Sequence, residues 1–275
     1  MRFGLDVAQQ RLPWDELVRR VQLAEDLGFD GVWGFDHFRP MYGDGPGETF
    51  EGMTTLAALA GITSRVRLGL LVTGVTYRHP SVFAAQALTI DHASHGRLDL
   101  SLGSAWFADE HDQLGIPFPP LAERYGLLED ALEILTRLYT GEVVSYDGHT
   151  VSLRDAQMRP LPVQQPHPPL WIGGAGPRRT LPLAAKYADA WHAFGTPNSL
   201  RTAYARLDQL AEAAGRDPGD ILRAGSVSLD DTATARKHVG KWRDSGYGYL
   251  VCGWPAAGAA QVEEFARDVM VEFTG

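Results

Sequence analysis

Short apolar segments alternate with amphipathic helical segments along the whole of this 275-residue chain, and this alternation constrains the fold most. Leu17, Val21 and Ala24 show the helical spacing, while residues 66–73 have the length and apolar character of a buried parallel strand. About eight strand–helix units follow one another, which indicates the α/β class and a closed (β/α)8 TIM barrel. A doubly wound open sheet is the alternative, but it seldom needs eight such units.

No linker divides the predicted elements, so we treat residues 1–275 as one barrel domain. An excursion at about 105–168 separates the fourth and fifth strands and holds a helix at 127–138 and a hairpin at 143–153. The predicted strands are 2–7, 31–35, 66–73, 97–102, 170–172, 189–194, 221–227 and 249–252. The other predicted helices are 14–27, 54–62, 81–93, 180–187, 200–214 and 231–244, with a last one through Val262, Phe265, Val269 and Phe273.

Composition and charge argue against a membrane protein, a secreted protein and a nucleic-acid-binding protein. The chain is 44% hydrophobic and 21% charged, and no apolar stretch approaches the roughly 20 residues of a membrane helix. Charged residues occur within the first six positions, which therefore lack the apolar core of a signal peptide. The single cysteine, Cys252, is consistent with a reducing compartment. We therefore expect a soluble cytoplasmic protein. The net charge of −9 argues against nucleic acid as a partner, which leaves a small molecule.

A glycine-rich turn follows the fifth predicted strand. Gly173, Gly174 and Gly176 lie within four positions, and Pro177 suits the first turn of a helix that would also contain Arg178 and Arg179. Glycines let backbone N–H groups approach a ligand, and a helix start and two arginines add positive charge, so the turn suits a phosphate group. A tight strand-to-helix turn with two solvated arginines is an equally good explanation of this segment alone.

Polar residues cluster at the carboxyl ends of the predicted strands, where barrel enzymes place their chemistry. Four of the nine histidines, His37, His79, His111 and His192, lie at or just after these ends, and histidine exchanges protons near neutral pH. Structural roles are the alternative for each. Asp36 could cap a turn beside His37, His79 could mark a helix entry before Pro80, and Glu110 with His111 could be solvated loop residues.

Several familiar site motifs are missing from the sequence. It contains no GxxxxGK[ST] phosphate loop, no GxSxG elbow and no HExxH pair. The Gly-Gly-Ala-Gly run at 173–176 also differs from the GxGxxG dinucleotide fingerprint, and no ribose-binding acid follows at the usual spacing. A nicotinamide cofactor in a doubly wound fold is therefore not expected.

In the order and spacing of many short segments, the chain resembles the bacterial luciferase-like superfamily, and most closely its branch of coenzyme F420-dependent oxidoreductases. The segments that carry the resemblance cover nearly the whole chain. They are residues 1–4, 24–33, 36–37, 63–69, 78–80, 96–97, 103, 159–160, 170–174 and 180–189. The family fold is a (β/α)8 barrel, in agreement with the alternation of elements.

The resemblance implies a deazaflavin across the barrel mouth, with its phosphate tail near the glycine turn. Asp36 and His37 would border the redox ring and form the catalytic pair, with His37 as proton donor or acceptor. A non-proline cis peptide is expected at the end of the third strand, and Gly74–Val75 lies at the matching place. The cofactor-binding residues would be Asp36, Thr73, Gly74, Val75, Gly103, Ser104, Ala105, Gly173, Gly174, Ala175, Gly176, Arg178 and Arg179.

One departure from the resemblance concerns the substrate. The sugar-phosphate dehydrogenases of this branch carry an acidic residue where this chain has Trp106, so oxidation of a sugar phosphate is not expected. His37 is left as the best proton-transfer group. Aromatic residues at the strand ends are expected to wall an apolar substrate pocket, although they could equally belong to the barrel core. They are Trp33, Phe38, Trp106, Phe107 and Trp191.

The leading hypothesis is hydride transfer between the deazaflavin C5 and a small organic substrate, either reduction of an alkene, imine or carbonyl or oxidation of an alcohol. An FMN-dependent luciferase-like monooxygenase is the main alternative, and the family resemblance also suggests a homodimer. No metal is predicted, but a metal-dependent barrel hydrolase ranks lower as an alternative, as does a cofactor-binding barrel without catalysis. The hydrolase would use Asp36, His37, His79, Glu110, His111 or His192.

Overall fold

Eight parallel strand positions close a barrel in the computed structural model, which describes residues 1–274. The barrel strands are β1 (Arg2–Asp6), β2 (Gly31–Gly34), β3 (Arg67–Leu70), β4 (Thr73–Gly74), β5 (Leu98–Gly103), β8 (Leu170–Gly173), β9 (Ala190–His192), β10 (Leu222–Ser228) and β11 (Tyr249–Gly253). They pair in the order β3-β2-β1-β11-β10-β9-β8-β5-β4, and a further pairing between β3 and β5 closes the ring. Strands β3 and β4 both pair with β5 and together occupy one of the eight positions. Helices lie between the strands, as the alternation in the sequence predicts, so the predicted (β/α)8 fold is confirmed.

The helices cover the outside of the barrel. They are α1 (Trp14–Asp26), α2 (Gly52–Ala60), α3 (Pro80–Ala93), α4 (Ala108–Leu114), α5 (Leu121–Leu138), α6 (Thr180–Tyr187), α7 (Pro197–Ala213), α8 (Thr232–Asp244) and α9 (Ala259–Phe265), and a π-helical turn (Ala266–Met270) leads to α10 (Val271–Phe273). Between β5 and β8 the chain forms α4, α5 and an antiparallel hairpin of β6 (Val144–Asp147) and β7 (Ser152–Ala156). No helix within residues 1–274 is both long and apolar enough to cross a membrane.

The structure corrects four details of the sequence prediction. The predicted third strand is broken in two, because β3 ends at Leu70 and β4 begins at Thr73. The non-proline cis peptide joins Leu71 to Val72 in this break, so its predicted place at Gly74–Val75 is wrong. Helix α5 begins six residues before the predicted start at 127, and α4 was not predicted at all. Both helices lie in the excursion, where no regular alternation guided the prediction.

Asp130 of α5 fixes the hairpin to the barrel side. Its buried carboxylate accepts hydrogen bonds from the backbone N–H groups of His149, Thr150 and Val151 at 2.8, 2.6 and 3.0 Å and from the Tyr146 hydroxyl at 2.8 Å. These donors lower the pKa of Asp130, although burial alone would raise it. The hairpin is thereby held against the helix whose first turns reach the barrel mouth.

Large aromatic side chains fill the lower barrel because glycines on neighbouring strands leave room for them. Trp33 packs against Trp171 and donates from Nε1 to the Tyr249 hydroxyl at 2.9 Å. A Cβ on Gly4 would lie 2.4 Å from Nε1 of Trp33, and a Cβ on Gly69 would lie 2.5 Å from its Cζ3. The two glycines are therefore required by the ring between them, and this packed layer forms the floor beneath the barrel mouth.

This packing predicts the effect of a single methyl group. Gly69→Ala would press into the buried Trp33 ring, which cannot move away, so overpacking should lower the free energy of unfolding by about 1–3 kcal/mol. Thermal unfolding followed by circular dichroism should show a fall in Tm of several degrees.

Gly240→Ala is the matched control, because Gly240 lies in α8 with no atom within 4 Å of its added Cβ. There the substitution removes a helix-interior glycine and should leave Tm unchanged or raise it. An unchanged Tm for Gly69→Ala would contradict the packing of this layer.

Candidate functional site

A cavity of about 810 Å³ opens at the carboxyl ends of the barrel strands. Its floor is formed by Trp33 and by residues on β9, β10 and β11, and exposed aromatic side chains stand at its rim. The rim residues are Tyr42, Trp106 and Phe194. The volume lies within the range of small-molecule and cofactor sites, so this mouth is the candidate functional site.

His37 is held at the cavity wall by a buried carboxylate. The end of β2 places its imidazole against α4, where Nδ1 lies 3.0 Å from Oε2 of Glu110. His37 is 8% exposed and Glu110 is fully buried. With Glu110 ionised, Nδ1 carries the proton, and no hydrogen bond from residues 1–274 reaches Nε2. The neutral imidazole can therefore accept a proton at Nε2.

Glu110 also fixes the loop that follows β2. Its Oε1 accepts hydrogen bonds from the backbone N–H groups of Phe38 and Arg39 at 2.7 and 3.1 Å, and its Oε2 accepts one from the Tyr77 hydroxyl. Burial alone would raise the pKa of Glu110, but the bonds from His37, Tyr77 and Phe38 bring the pKa below its ordinary value. Burial and this carboxylate also raise the pKa of Tyr77, which stays a phenol. Glu110 is thus a stable anion that orients His37.

Asp36 occupies a second buried network beside His37. Arg78 donates to both of its carboxylate oxygens, at 2.6 and 2.8 Å, and the Gly74 N–H donates at 3.0 Å. Arg78 also pairs with Glu51, which accepts hydrogen bonds from the first N–H groups of α2. Both oxygens of Asp36 are therefore occupied, and this carboxylate ties the end of β2 to β4 and α2. It lines the cavity, but its geometry suits positioning better than proton transfer.

The glycine turn after β8 forms another part of the cavity. Gly174 has φ +110° and donates its N–H to the His192 carbonyl at 2.8 Å, and the Trp191 indole donates to the Gly174 carbonyl at 2.7 Å. A Cβ on Gly176 would lie 2.9 Å from Oγ1 of Thr180, whose hydroxyl is 2.7 Å from that of Tyr125. The turn, Thr180 and Tyr125 all line the cavity. The backbone of the glycine turn and two hydroxyls therefore meet at one end of the cavity.

Arg178 and Arg179 lie outside this cradle. Helix α6 begins at Thr180, so the prediction that both arginines belong to its first turn is wrong. Both side chains are exposed, neither lines the cavity, and the guanidinium of Arg179 lies 5.4 Å from the centroid of the Tyr125 ring. Residues 177–179 form a turn between the glycines and α6. A proline after the glycines does not by itself determine where the helix begins.

The break between β3 and β4 forms the wall between the glycine turn and His37. Val72 projects from the cis peptide towards β5 and β8, since a Cβ on Gly103 would lie 2.6 Å from its Cγ2 and a Cβ on Gly173 2.8 Å from its Cγ1. The absence of side chains at these two strand ends leaves a shelf with Val72 at its centre. The predicted residues Gly74, Ser104 and Ala105 line the same wall, whereas Thr73 and Val75 are buried behind it.

Most of the predicted aromatic pocket residues support the site from behind. Trp33 and Trp106 line the cavity, and Trp106 is 66% exposed. Phe38, Phe107 and Trp191 lie outside the lining. Phe107 packs 5.6 Å from the His37 ring and Phe38 packs 5.1 Å from the Tyr77 ring, measured between centroids. Side chains of a barrel strand alternate between the barrel interior and the surrounding helices. Trp191 lies on the side away from the cavity and is fully buried.

The remaining histidines have separate partners. His79 caps α3 by accepting from the Ser81 N–H, His111 bonds the Thr76 hydroxyl at 2.7 Å, and His192 bonds the Ser226 hydroxyl at 2.9 Å. Burial lowers the pKa of His192 to about 4, so its imidazole is neutral at pH 7. Within residues 1–274 no group of three or more His, Cys, Asp or Glu side chains is placed to hold a metal ion. The six residues named for a metal site thus form no such group, although His37 and Glu110 contact each other.

Several polar residues that line the cavity are not among the site residues predicted from the sequence, including Asp6, Tyr77, Tyr125 and Thr180. Asp6 ends β1, and the strand-end argument applied to the first strand would have found it. Tyr77 follows the third predicted strand and Thr180 follows the glycine turn, so both lie beside predicted site residues. Tyr125 comes from the excursion and meets Thr180 across 55 positions of sequence, which no local pattern indicates.

Comparison with known proteins places this geometry in a family. The profile of the luciferase-like monooxygenase family matches residues 1–265. The chain is 34% identical over 192 residues to an F420-dependent glucose-6-phosphate dehydrogenase of Microbacterium testaceum, covering 70% of this chain and 56% of that protein. It is 30% identical over 237 residues to an F420-dependent hydroxymycolic acid dehydrogenase of Mycobacterium tuberculosis, covering 85% and 64%. The chain therefore spans less than two thirds of the length of these two relatives.

The fold has a counterpart among solved structures. The coenzyme F420-dependent tetrahydromethanopterin reductase of Methanopyrus kandleri superposes with a TM-score of 0.85 at 18% identity, covering 99% of both chains. This likeness shows a common barrel fold. Together with the family match over residues 1–265, it confirms the resemblance found in the sequence, and the chain belongs to the luciferase-like monooxygenase family.

Proposed function

We propose that this protein is a coenzyme F420-dependent oxidoreductase that acts on a small organic molecule. The observation that carries the proposal is the His37–Glu110 pair, a proton-accepting imidazole held at the wall of a cavity large enough for a cofactor and a substrate. The two relatives named above, both F420-dependent dehydrogenases, support the choice of coenzyme. The pair lies beside the Val72 shelf, where a flat ring has room.

The residues around the cavity fit such a coenzyme. Gly173, Gly174, Ala175 and Gly176 present backbone rather than large side chains, and the hydroxyls of Thr180 and Tyr125 lie within the same cradle, which suits a phosphate. The shelf of Val72 between Gly103 and Gly173 would support the ring system. A Cβ at Gly103 or Gly173 would press on Val72, and one at Gly176 would press on Thr180, so glycine at these positions keeps the shelf and the cradle in their present shape.

His37 and Glu110 divide the work of proton handling. F420 supplies two-electron hydride chemistry when it is bound. Nε2 of His37 accepts a proton from a substrate hydroxyl or returns it to a substrate carbonyl, while Glu110 keeps Nδ1 protonated and stabilises the imidazolium. The packing of Phe107 and Trp106 against the imidazole limits the access of water to it.

An FMN-dependent monooxygenase is the second candidate, favoured by the description of the matched family. FMN also carries a phosphate and a flat ring, so the same cradle and shelf would hold it. The two candidates differ in which cofactor binds, and this is measured directly.

Gly176→Ala tests the cofactor site. The purified protein is titrated with F420 and with FMN, and binding is followed by quenching of cofactor fluorescence. We expect F420 to bind and the added methyl, 2.9 Å from Oγ1 of Thr180, to weaken its affinity about tenfold or more. Binding of FMN alone would favour the monooxygenase.

Arg178→Gln is the control for the same titration. Because Arg178 is exposed and outside the lining, its loss should change the Kd for F420 by less than about threefold at roughly 0.15 M salt. A large effect of Arg178→Gln together with none of Gly176→Ala would place the phosphate at the arginines instead of the cradle.

His37→Asn and Glu110→Gln test the proton-handling pair. His37→Asn should reduce kcat about 10²–10⁴-fold while the Kd for F420 changes little, because the proton acceptor alone is lost. In Glu110→Gln the new side-chain amide can donate to Nδ1 and shift the proton to Nε2, so this variant should lower kcat and alter its pH profile. Turnover is followed by the absorbance of oxidised F420 with isopropanol, cyclohexanol and the corresponding ketones.

Thermal unfolding and F420 titration of both variants separate lost chemistry from lost folding. Asp109→Asn is the matched control, since Asp109 precedes Glu110 but is exposed, and its kcat should stay near that of the wild type. Full activity of His37→Asn would overturn the assignment of His37.

A further inference from the structure

Asp6 faces the interior of the barrel mouth. A Cβ on Gly4 would meet Trp33 and the Tyr249 hydroxyl inside the barrel, and Asp6, two positions along β1, points the same way one layer higher. Its register partner on β11 is Gly253, which has no side chain to cover it. The carboxyl group therefore lines the cavity from the first strand.

The carboxyl group of Asp6 forms no ion pair within the part of the chain that the structure describes. Its one hydrogen bond comes from the Ala8 N–H at 2.9 Å, and no ion pair joins it to a basic side chain within residues 1–274. Burial raises its pKa to about 6, and the Ala8 N–H and the charge of Arg20 compensate only in part. Asp36 and Glu110 have strong hydrogen-bond donors within the protein, whereas Asp6 has one backbone N–H. An unpaired carboxyl group in a cleft is typical of a functional site.

The surroundings of Asp6 suit a positively charged group. The adjoining part of the cavity, formed by β9, β10 and β11, presents the neutral His192–Ser226 pair, Ser228 and apolar residues. No lysine or arginine of the described chain, residues 1–274, lines the cavity. Aromatic rings of Trp33, Tyr42 and Phe194 also line it, and such rings attract cations.

Asp6, on β1, lies across the barrel from the phosphate cradle that follows β8. The cradle follows β8 and the shelf follows β3 and β5, so a coenzyme seated there leaves the side of β10, β11 and β1 to the substrate. We propose that Asp6 is the substrate-recognition carboxylate and that it selects a substrate bearing an amine or another cationic nitrogen over carboxylates and phosphates. The proposal rests on the proposed function for this division of the cavity.

The charge of Asp6 depends on pH, and few other groups face it. Helix α1 contributes Arg20, which pairs with Glu16, and β2 contributes Asp36 and His37 at its end. Strand β11 contributes no titratable group beside it, and β9 contributes His192, which stays largely neutral above about pH 5. Loss of charge below about pH 6 should therefore weaken binding of a cation.

The test compares three probes of similar shape and different charge. Benzylamine, benzyl alcohol and benzoate are titrated calorimetrically into the F420-saturated protein at pH 7.5. Wild type should bind benzylamine at least about tenfold more tightly than benzyl alcohol, and benzoate most weakly. In Asp6→Asn the preference for benzylamine over benzyl alcohol should fall to less than about threefold, and Asp15→Asn, which removes an exposed charge, should keep it.

The pH dependence gives a second readout. In wild type the preference for benzylamine should decline from pH 7.5 to pH 5, while in Asp6→Asn it should not change. Asp6→Asn should also unfold at a higher Tm than wild type at pH 7.5, since a poorly hydrated charge is removed, so loss of preference cannot be ascribed to unfolding.

An unaltered preference in Asp6→Asn, or tight binding of benzoate by wild type, would overturn the assignment. Binding of F420 is measured in its own titration, so failure of the coenzyme assignment is distinguished from failure of the Asp6 assignment. If F420 does not bind, the same probes titrated into the protein without coenzyme still test Asp6.

Discussion

The carboxylate of Glu110 joins three segments of the barrel mouth that are far apart in sequence. From its place on α4 it accepts hydrogen bonds from the end of β2, through His37, Phe38 and Arg39, and from the segment after β4, through Tyr77. A buried carboxylate is stable only when such donors compensate for its lost hydration. The donors must therefore stay in place, and the orientation of the imidazole follows from the same requirement. The geometry of the site depends on this one anion.

Asp36 performs a related task with a cation as its main partner. Arg78 donates two hydrogen bonds to Asp36 and also pairs with Glu51. The ends of β2 and β4 and the start of α2 are therefore linked. Asp36 and His37 are thus adjacent at the end of one strand but have different roles. Asp36 fixes the backbone, and His37 keeps a free ring nitrogen. Adjacency in sequence suggested a shared role, but the partners on other strands determine what each side chain does.

The sequence predicted the barrel because burial of parallel strands and amphipathic helices leaves a periodic pattern. It also located His37, the glycine turn and the wall of the cavity, since strand ends meet at one face of the barrel. The break at Leu71–Val72 was not predictable, because both residues are apolar and continue the pattern of β3. The partnership of His37 with Glu110 spans 73 positions and depends on the unpredicted helix α4. Likewise, the side of β9 on which Trp191 lies depends on a strand register that periodicity over three residues cannot determine.

Glu110, which is buried beside His37, and Asp6, which lines the cavity, have opposite effects on the stability of the fold. Glu110 is an anion satisfied within the protein, whereas Asp6 has a pKa of about 6 against an ordinary 3.8, a difference that corresponds to about 3 kcal/mol. Because the folded state holds the proton of Asp6 more tightly than the unfolded chain does, folding is less favourable above about pH 6 than below about pH 4. A neutral side chain of similar size would remove this loss of stability. An acid with a perturbed pKa that faces an open cavity is typical of a functional site, and a cationic group on the proposed substrate would stabilise its charged form.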